Sequence, residues 1–441
     1  MNTTEHITSI IGLLNDGAEY AVLRNFEGLP DDNTARDIDI IITRRSFRSV
    51  KQKLVDLIDR SGWQIVTYLH SDRLITYVCA HLSSDPAVLD TQLVQWDFFF
   101  DTSVFGIQLM SADEFLRHKA FNGFLYHVDV ECQFLDKYLY DRAVGAPYPE
   151  KYAATRAAAE HSEAVVDQLR RTFGTPSAAV CDRTGKGRLL IHAMGYNLRR
   201  RPLLLIVDMC RFIGTFVGNY LRSRTGFSMG FTGPDGSGKT TVIDMVIDQL
   251  GDVFAQAHAY YHFRPMLFGN LGEVAHSAGV KREVDRDYDR PHRGGRTSTL
   301  SSLVRLLYYS VDYIVGYWLR VKTKIRITRI VIFDRYYTDI ICDSRRSRIY
   351  LPLRFLYGWG RLFIPSLDYN ILLTADADTI LARKRELDAD GISDINRKID
   401  FLASRPGYYR VVNDGTPAEA VNQILRVIFD AQHRKNLRRI G

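Results

Sequence analysis

Gly233-Pro-Asp235-Gly236-Ser237-Gly238-Lys239-Thr240-Thr241 is the stretch of this 441-residue chain that decides its fold. The spacing fits GxxxxGK[ST], and the flanks fit too, with a strand-like apolar run over 227–231 and a helical stretch over 241–250. Glycines at 233, 236 and 238 let the backbone curl, so that successive N–H groups point inward at phosphate oxygens. The N-terminus of the following helix adds a dipole that favours the same anions. Lys239 is placed to reach the β- and γ-phosphates of a nucleotide, and the Thr240 hydroxyl to hold Mg²⁺. Ser237 and Thr241 complete the expected nucleotide-binding set.

Past this loop, strand-like runs recur over 257–263, 330–334, 369–374 and 409–412, with helical stretches between them. Such alternation is the pattern of βαβ units and a parallel sheet. The run Ile330-Val-Ile-Phe-Asp334 ends in an acid. A strand-terminal carboxylate beside a phosphate loop is a usual second partner of Mg²⁺, direct or through water. Phosphoryl transfer is catalysed by in-line positioning and many cations, which Lys239, Arg264, Arg335, Arg383 and Arg385 could supply. The segment 281–296, dense in charge, Gly and Pro, reads as a mobile loop inside a long insertion over 266–325.

These residues carry a family resemblance. Gly-Pro-Asp-Gly-Ser-Gly-Lys-Thr-Thr followed by Asp334-Arg335-Tyr336 resembles the thymidylate kinase family of P-loop nucleoside monophosphate kinases. Pro365-Ser-Leu-Asp-Tyr-Asn-Ile-Leu-Leu-Thr374, Arg383-Lys-Arg-Glu-Leu387 and Asn413-Asp-Gly-Thr-Pro-Ala-Glu-Ala-Val421 fall in register, so the resemblance covers about 226–430. It implies ATP and Mg²⁺ as cofactors, and a lid opened by Arg383 that closes over ATP near the 413–416 loop. It further implies Asp235 as a carboxylate on the acceptor sugar, Arg335 as an acceptor-side arginine and Arg264 as an acceptor-phosphate arginine. The acceptor segments depart from the pattern: Phe263-Arg-Pro-Met-Leu267 stands for Arg-Glu-Pro-Gly-Gly, and Thr338-Asp-Ile-Ile-Cys-Asp-Ser-Arg-Arg346 follows the second motif. The chain is more similar to the thymidylate-kinase-like proteins found with bacterial surface-polysaccharide genes, which implies a sugar or lipid-linked glycan acceptor.

The N-terminal third is different in charge. Residues 1–150 hold 13 Lys and Arg against 22 Asp and Glu, whereas the whole chain is +7. Such a split points to two domains with different partners. Here Asp37-Ile-Asp39 lies on one strand-like run and Asp97 on another, and the i, i+2 spacing places Asp37 and Asp39 on one strand face. A third acid from a neighbouring strand would complete a cage for Mg²⁺. Tyr20-Ala-Val-Leu-Arg24-Asn25, Asp37-Ile-Asp-Ile-Ile-Ile42 and Gln95-Trp-Asp97-Phe-Phe together resemble the nucleotidyltransferase superfamily, with Leu23-Arg-Asn25 in place of its Gly-Ser turn. Acids on solvent-facing strand positions, and a domain that binds without turnover, are the competing readings.

The expected fold is therefore α/β. An N-terminal α+β nucleotidyltransferase-like domain spans 1–147, a helical linker 148–225, and a P-loop kinase domain with a parallel sheet and flanking helices 226–441. In the linker, 203–221 is about long enough to cross a bilayer, but Asp208, Arg211, Thr215 and Asn219 form one polar stripe. A helix packed on its own protein is the first expectation, with a peripheral membrane contact through 199–221 the alternative. Five scattered cysteines and no basic leader point to a reducing, cytoplasmic setting. No aromatic-interleaved reading module argues for nucleic acid as a partner, so a nucleotide and a small-molecule or glycan acceptor are expected, with an oligomer compatible. His258 and His262 share a strand face without a visible acid partner.

Overall fold

The computed structural model describes all residues except 34, 222–225, 255–257, 266–297, 327–329 and 384–387. The expected loop over 281–296 and Arg385 lie outside the described residues. The chain forms two compact units, one of Met1–His81, Gln92–Arg222 and Gln432–Gly441, the other of Leu82–Thr91 and Ser223–Ala431. Two boundaries differ from those expected. The helical segment after 147 is part of the first unit's core, because Val165, Leu169, Phe173, Cys181, Leu189 and Ala193 are all buried there. The last ten residues also join the first unit, where Ile440 enters its other core.

The first unit is a seven-stranded mixed sheet. Its strands are β1 (Tyr20–Val22), β2 (Asp37–Ile42), β3 (Gln64–His70), β4 (Leu74–Leu82) and β5 (Thr91–Phe99). Next in the chain come β6 (Asp101–Val104) and β7 (Ile107–Ser111), a separate hairpin, then β8 (Lys119–Phe121) and β9 (Tyr126–Val128). The order is β3-β4-β5-β2-β1-β9-β8. Period-two alternation along β2 sends Ile38, Ile40 and Ile42 into a core with the helices Thr3–Gly17 and Arg44–Arg60. Ile41 turns to the opposite core, shared with the helix Val130–Val144. The apolar spacing over 112–144 predicts a helical stretch, which β8 and β9 break. The reason is local: Asn122-Gly123 stands at the bend and Gly123 has φ +97°, a conformation that favours a hairpin over a helix.

The second unit holds β10 (Ser228–Thr232), β11 (His258–His262), β12 (Ile330–Asp334), β13 (Tyr369–Thr374) and β14 (Tyr408–Val412). The order is β11-β12-β10-β13-β14, with every pairing parallel. β10, β12 and β13 are buried along their whole length, as a parallel sheet covered by helices requires. β10 lies between β12 and β13, and the chain leaves β10 towards one edge of the sheet and β13 towards the other, which makes a topological switch point between these adjacent strands. Open α/β sheets bind ligands at that switch point, outside the carboxyl ends of the strands.

Candidate functional site

The loop after β10 occupies the switch point. Gly236 and Gly238 take φ +88° and +83°, and the helix Lys239–Phe254 starts directly on Lys239. A Cβ on Gly238 would sit 2.5 Å from the Asn413 amide nitrogen, so only glycine fits there. Asn413, at the end of β14, in turn donates to the Ser237 carbonyl at 2.8 Å. Gly233 is equally constrained, by the Leu373 carbonyl of β13.

Lys239 is buried within its own loop. Its ammonium donates to the carbonyls of Gly233 at 2.8 Å and Pro234 at 2.7 Å, and stands 3.8 Å from Asp235. Burial pushes its pKa down to about 7, the Arg335 charge adds to this, and Asp235 opposes it. Thr240 and Thr241 are exposed on the first turn of the helix.

Asp334 ends β12 as expected. His262 Nδ1 and the Tyr260 hydroxyl approach its Oδ2 at 3.2 and 3.1 Å, from β11. Burial opposes its ionisation, but the His262 hydrogen bond and the charges of Arg335 and Lys239 hold it below the usual carboxylate range. His262 thus has an acid partner that its sequence neighbourhood hid: the parallel register sets His262 opposite Asp334.

Beside the loop lies an arginine–carboxylate cluster. Arg335 donates to Asp235 at 2.5 Å and Asp339 at 3.0 Å, and Arg346 also pairs with Asp235. Arg335 holds φ +75°, a rare backbone setting for a side chain with a Cβ, and its N–H bonds the Phe231 carbonyl. On the other flank, the Arg383 guanidinium donates to the Asn413 carbonyl at 3.0 Å. Asp235, Arg335, Asp334 and Lys239 thus converge on one place, with Arg383 beside Gly238.

Arg264 does not join them. Its guanidinium is 1% exposed, bonds Asp312 at 3.1 Å and stacks over Tyr309. A buried charge needs a buried counter-charge, and Asp312 supplies it for Arg264. Sequence reading missed Arg346, Asp339, Asn413, His262 and Tyr260 as site residues. Asn413 carried a signal as the first residue of the in-register segment 413–421, and Asp339 and Arg346 lie in the segment 338–346 that departs from the family pattern.

Five buried polar atoms at the loop and its arginine cluster have no hydrogen-bond partner: Ser237 Oγ, Asp334 Oδ1, Arg335 Nε, Arg346 Nε and Asn413 Oδ1. Buried polar atoms are nearly always satisfied, so an orphaned group of them marks a place shaped for something else. The donor set suits a magnesium nucleotide, with Thr240 and Asp334 as hard oxygen ligands and Lys239 and the loop N–H groups for phosphate.

In the first unit, the parallel register sets Asp39 opposite Asp97 and Asp37 opposite Gln95. The expected metal cage is not formed. Arg24 Nε sits 2.7 Å from Asp39 and its Nη1 2.9 Å from Asp136, while Asp97 accepts from Thr76 at 2.5 Å and Gln95 at 2.8 Å. Among the described residues no group of three acids, histidines or cysteines is placed to hold a metal. Burial raises the Asp39 pKa, Arg24 opposes this, and the neighbouring Asp97, Asp37 and Asp136 add to the rise.

No protein-family model matches this chain, and no curated protein matches it in sequence. Among solved structures, the thymidylate kinase from Ehrlichia chaffeensis is similar at 19% identity over 46% of this chain and 98% of that one, with a TM-score of 0.29.

Proposed function

We propose that this chain is an ATP- and Mg²⁺-dependent phosphotransferase, with its reacting centre between the phosphate loop and the Asp235–Arg335–Arg346 cluster. The observation that carries this reading is the set of orphaned polar atoms around a buried Lys239 in a loop of the right sequence. Phosphate oxygens are charged acceptors, stronger than the Gly233 and Pro234 carbonyls that now take the Lys239 ammonium. The loop N–H groups and the helix N-terminus add to the hold on the β- and γ-phosphates. Thr240 and Asp334 would hold Mg²⁺, which supplies charge neutralisation on the phosphate oxygens.

Transfer forms a bond from an acceptor oxygen to the γ-phosphorus and breaks the bond to the bridging oxygen of ADP. Arg335, fixed by two carboxylates and by its own backbone hydrogen bond, and Arg346 beside it position the acceptor and balance charge developing on that side. Arg383 does the same on the nucleotide side. Rigid donors aimed at developing charge give catalysis without reorganisation during the reaction. Surface-polysaccharide or nucleotide-sugar chemistry, drawing on cytoplasmic ATP, is the setting we propose, with a sugar or glycan acceptor preferred to thymidylate.

The test is direct. Purified protein is incubated with ATP, Mg²⁺ and a panel of nucleoside monophosphates, free sugars and glycan lipids, and products are read by mass spectrometry. A phosphorylated product from one acceptor class is expected. Nucleotide binding with no product from any acceptor would remove the transferase reading.

A further inference from the structure

The helix Pro202–Leu221 in the first unit is turned the opposite way from an ordinary surface helix. Its polar stripe faces the protein. Asp208 pairs inward with Arg201 at 2.9 Å and Arg211 at 2.8 Å, and the Asn219 amide donates to the His70 carbonyl at 3.0 Å. The β6–β7 hairpin seats it closely: Gly106 has φ +80°, and a Cβ there would lie 2.7 Å from the Met209 Cα. Leu205, on the same inner stripe, is buried in the core. Consequently Leu203, Leu204, Ile206, Val207, Ile213 and Phe216 all point outward and are exposed. Only 6% of the window Pro202–Asn219 is buried, although its mean hydropathy is 1.3. Contiguous apolar surface of this kind on a soluble unit marks an interaction face.

Charge identifies the partner. From Lys186 to Arg224 the sequence holds eight Lys and Arg and a single acid, Asp208, which the structure has ion-paired inward. Arg188, Arg199 and Arg200, on the helix Lys186–Arg200 that leads directly into Pro202–Leu221, are exposed. We propose that this face seats on the surface of an anionic lipid bilayer, its apolar residues at the headgroup–acyl boundary and the arginines on the headgroups. An amphipathic helix with a cationic margin lies in the interface plane. A full span is incompatible, since the Arg201–Asp208–Arg211 side is bound to the protein and cannot meet hydrocarbon. Pairing with a second copy would set the same cations against each other across a two-fold axis.

The full chain is tested by flotation with vesicles of phosphatidylcholine alone or with a third phosphatidylglycerol. Flotation with the anionic vesicles, weakened by salt, is expected. A variant carrying Ile206→Ser, Ile213→Ser and Phe216→Ser should lose about tenfold in bound fraction. Its melting curve should be unchanged, since all three side chains are exposed. Lys239→Ala should float like the parent, which separates this proposal from the phosphotransferase reading. Absence of flotation by the parent, or full flotation by the triple variant, overturns the proposal. So does light scattering that shows a dimer which the triple variant splits, since the face would then join copies of the chain.

Discussion

The Arg24 cluster of the first unit and the Lys239 loop of the second use similar ingredients and reach opposite ends. Each gathers aspartates around a largely buried cation. Around Arg24 the guanidinium takes Asp39 and Asp136, Thr102 also bonds Asp136, and Thr76 and Gln95 bond Asp97, so that one buried oxygen of the neighbouring Asp141 is left without a hydrogen bond. Around Lys239, Ser237, Asp334, Arg335 and Asn413 each keep one buried atom without a hydrogen bond. The difference teaches that a cluster of acids is not a site in itself. A polar network that closes on itself stabilises the fold, and one left open invites a ligand.

The comparison can be broken at its strongest point first. Lys239→Ala should reduce phosphoryl transfer by about a thousandfold, with circular dichroism unchanged, because a charge aimed at the transferring phosphate is lost. Parent-like turnover in that variant would erase the distinction between the two clusters. Next, Arg24→Ala should cost the first unit about 3 kcal/mol, near the low end for a broken buried pair because Arg24 keeps some contact with solvent. Urea denaturation measures it, and the loss should not be recovered by Mg²⁺. A stabilising response to Mg²⁺ would show that the three acids can act as a cage after all.

A finer probe is Asp334→Asn, which should raise the Mg²⁺ concentration needed for turnover by about 10–100-fold while leaving nucleotide affinity within a small factor. Kinetic titration with Mg²⁺ reads this directly. The smallest effect concerns acid stability. His6, stacked on Trp63 and receiving a hydrogen bond from Trp96, has its pKa pushed down to about 3 by burial, with the His81 and N-terminal charges adding. The folded pKa lies below the unfolded 6.5, so the unfolded chain binds the extra proton in that window. Stability should therefore fall as pH drops from about 6.5 towards 3. Denaturation midpoints across that range should decline less steeply in His6→Gln.

Much of the second unit was legible from residue order alone. All five of its strands begin and end within one residue of the expected runs, and 330–334 and 369–374 coincide with them. Long apolar β-branched runs separated by helices leave few alternatives, and the GxxxxGK[ST] spacing sets the loop. Asp334 was legible for the same reason, being the polar end of such a run. The 112–144 segment was not, because one Asn-Gly bend outweighs the surrounding helical periodicity. The pairing of Arg346 with Asp235 was not legible, because the two lie 111 residues apart in the chain.

Residue order alone therefore set local features: element type, loop curvature, and the presence of a phosphate-gripping backbone. These follow from dihedral preferences and from the spacing of apolar residues, both short-range. What only the tertiary structure decided is which charge meets which. Arg264 was consigned to Asp312, Arg24 to the acids of the first unit, and Asp208 to the inner side of its helix. Pairing of buried charges is governed by distance and desolvation, and neither exists until distant segments are packed together.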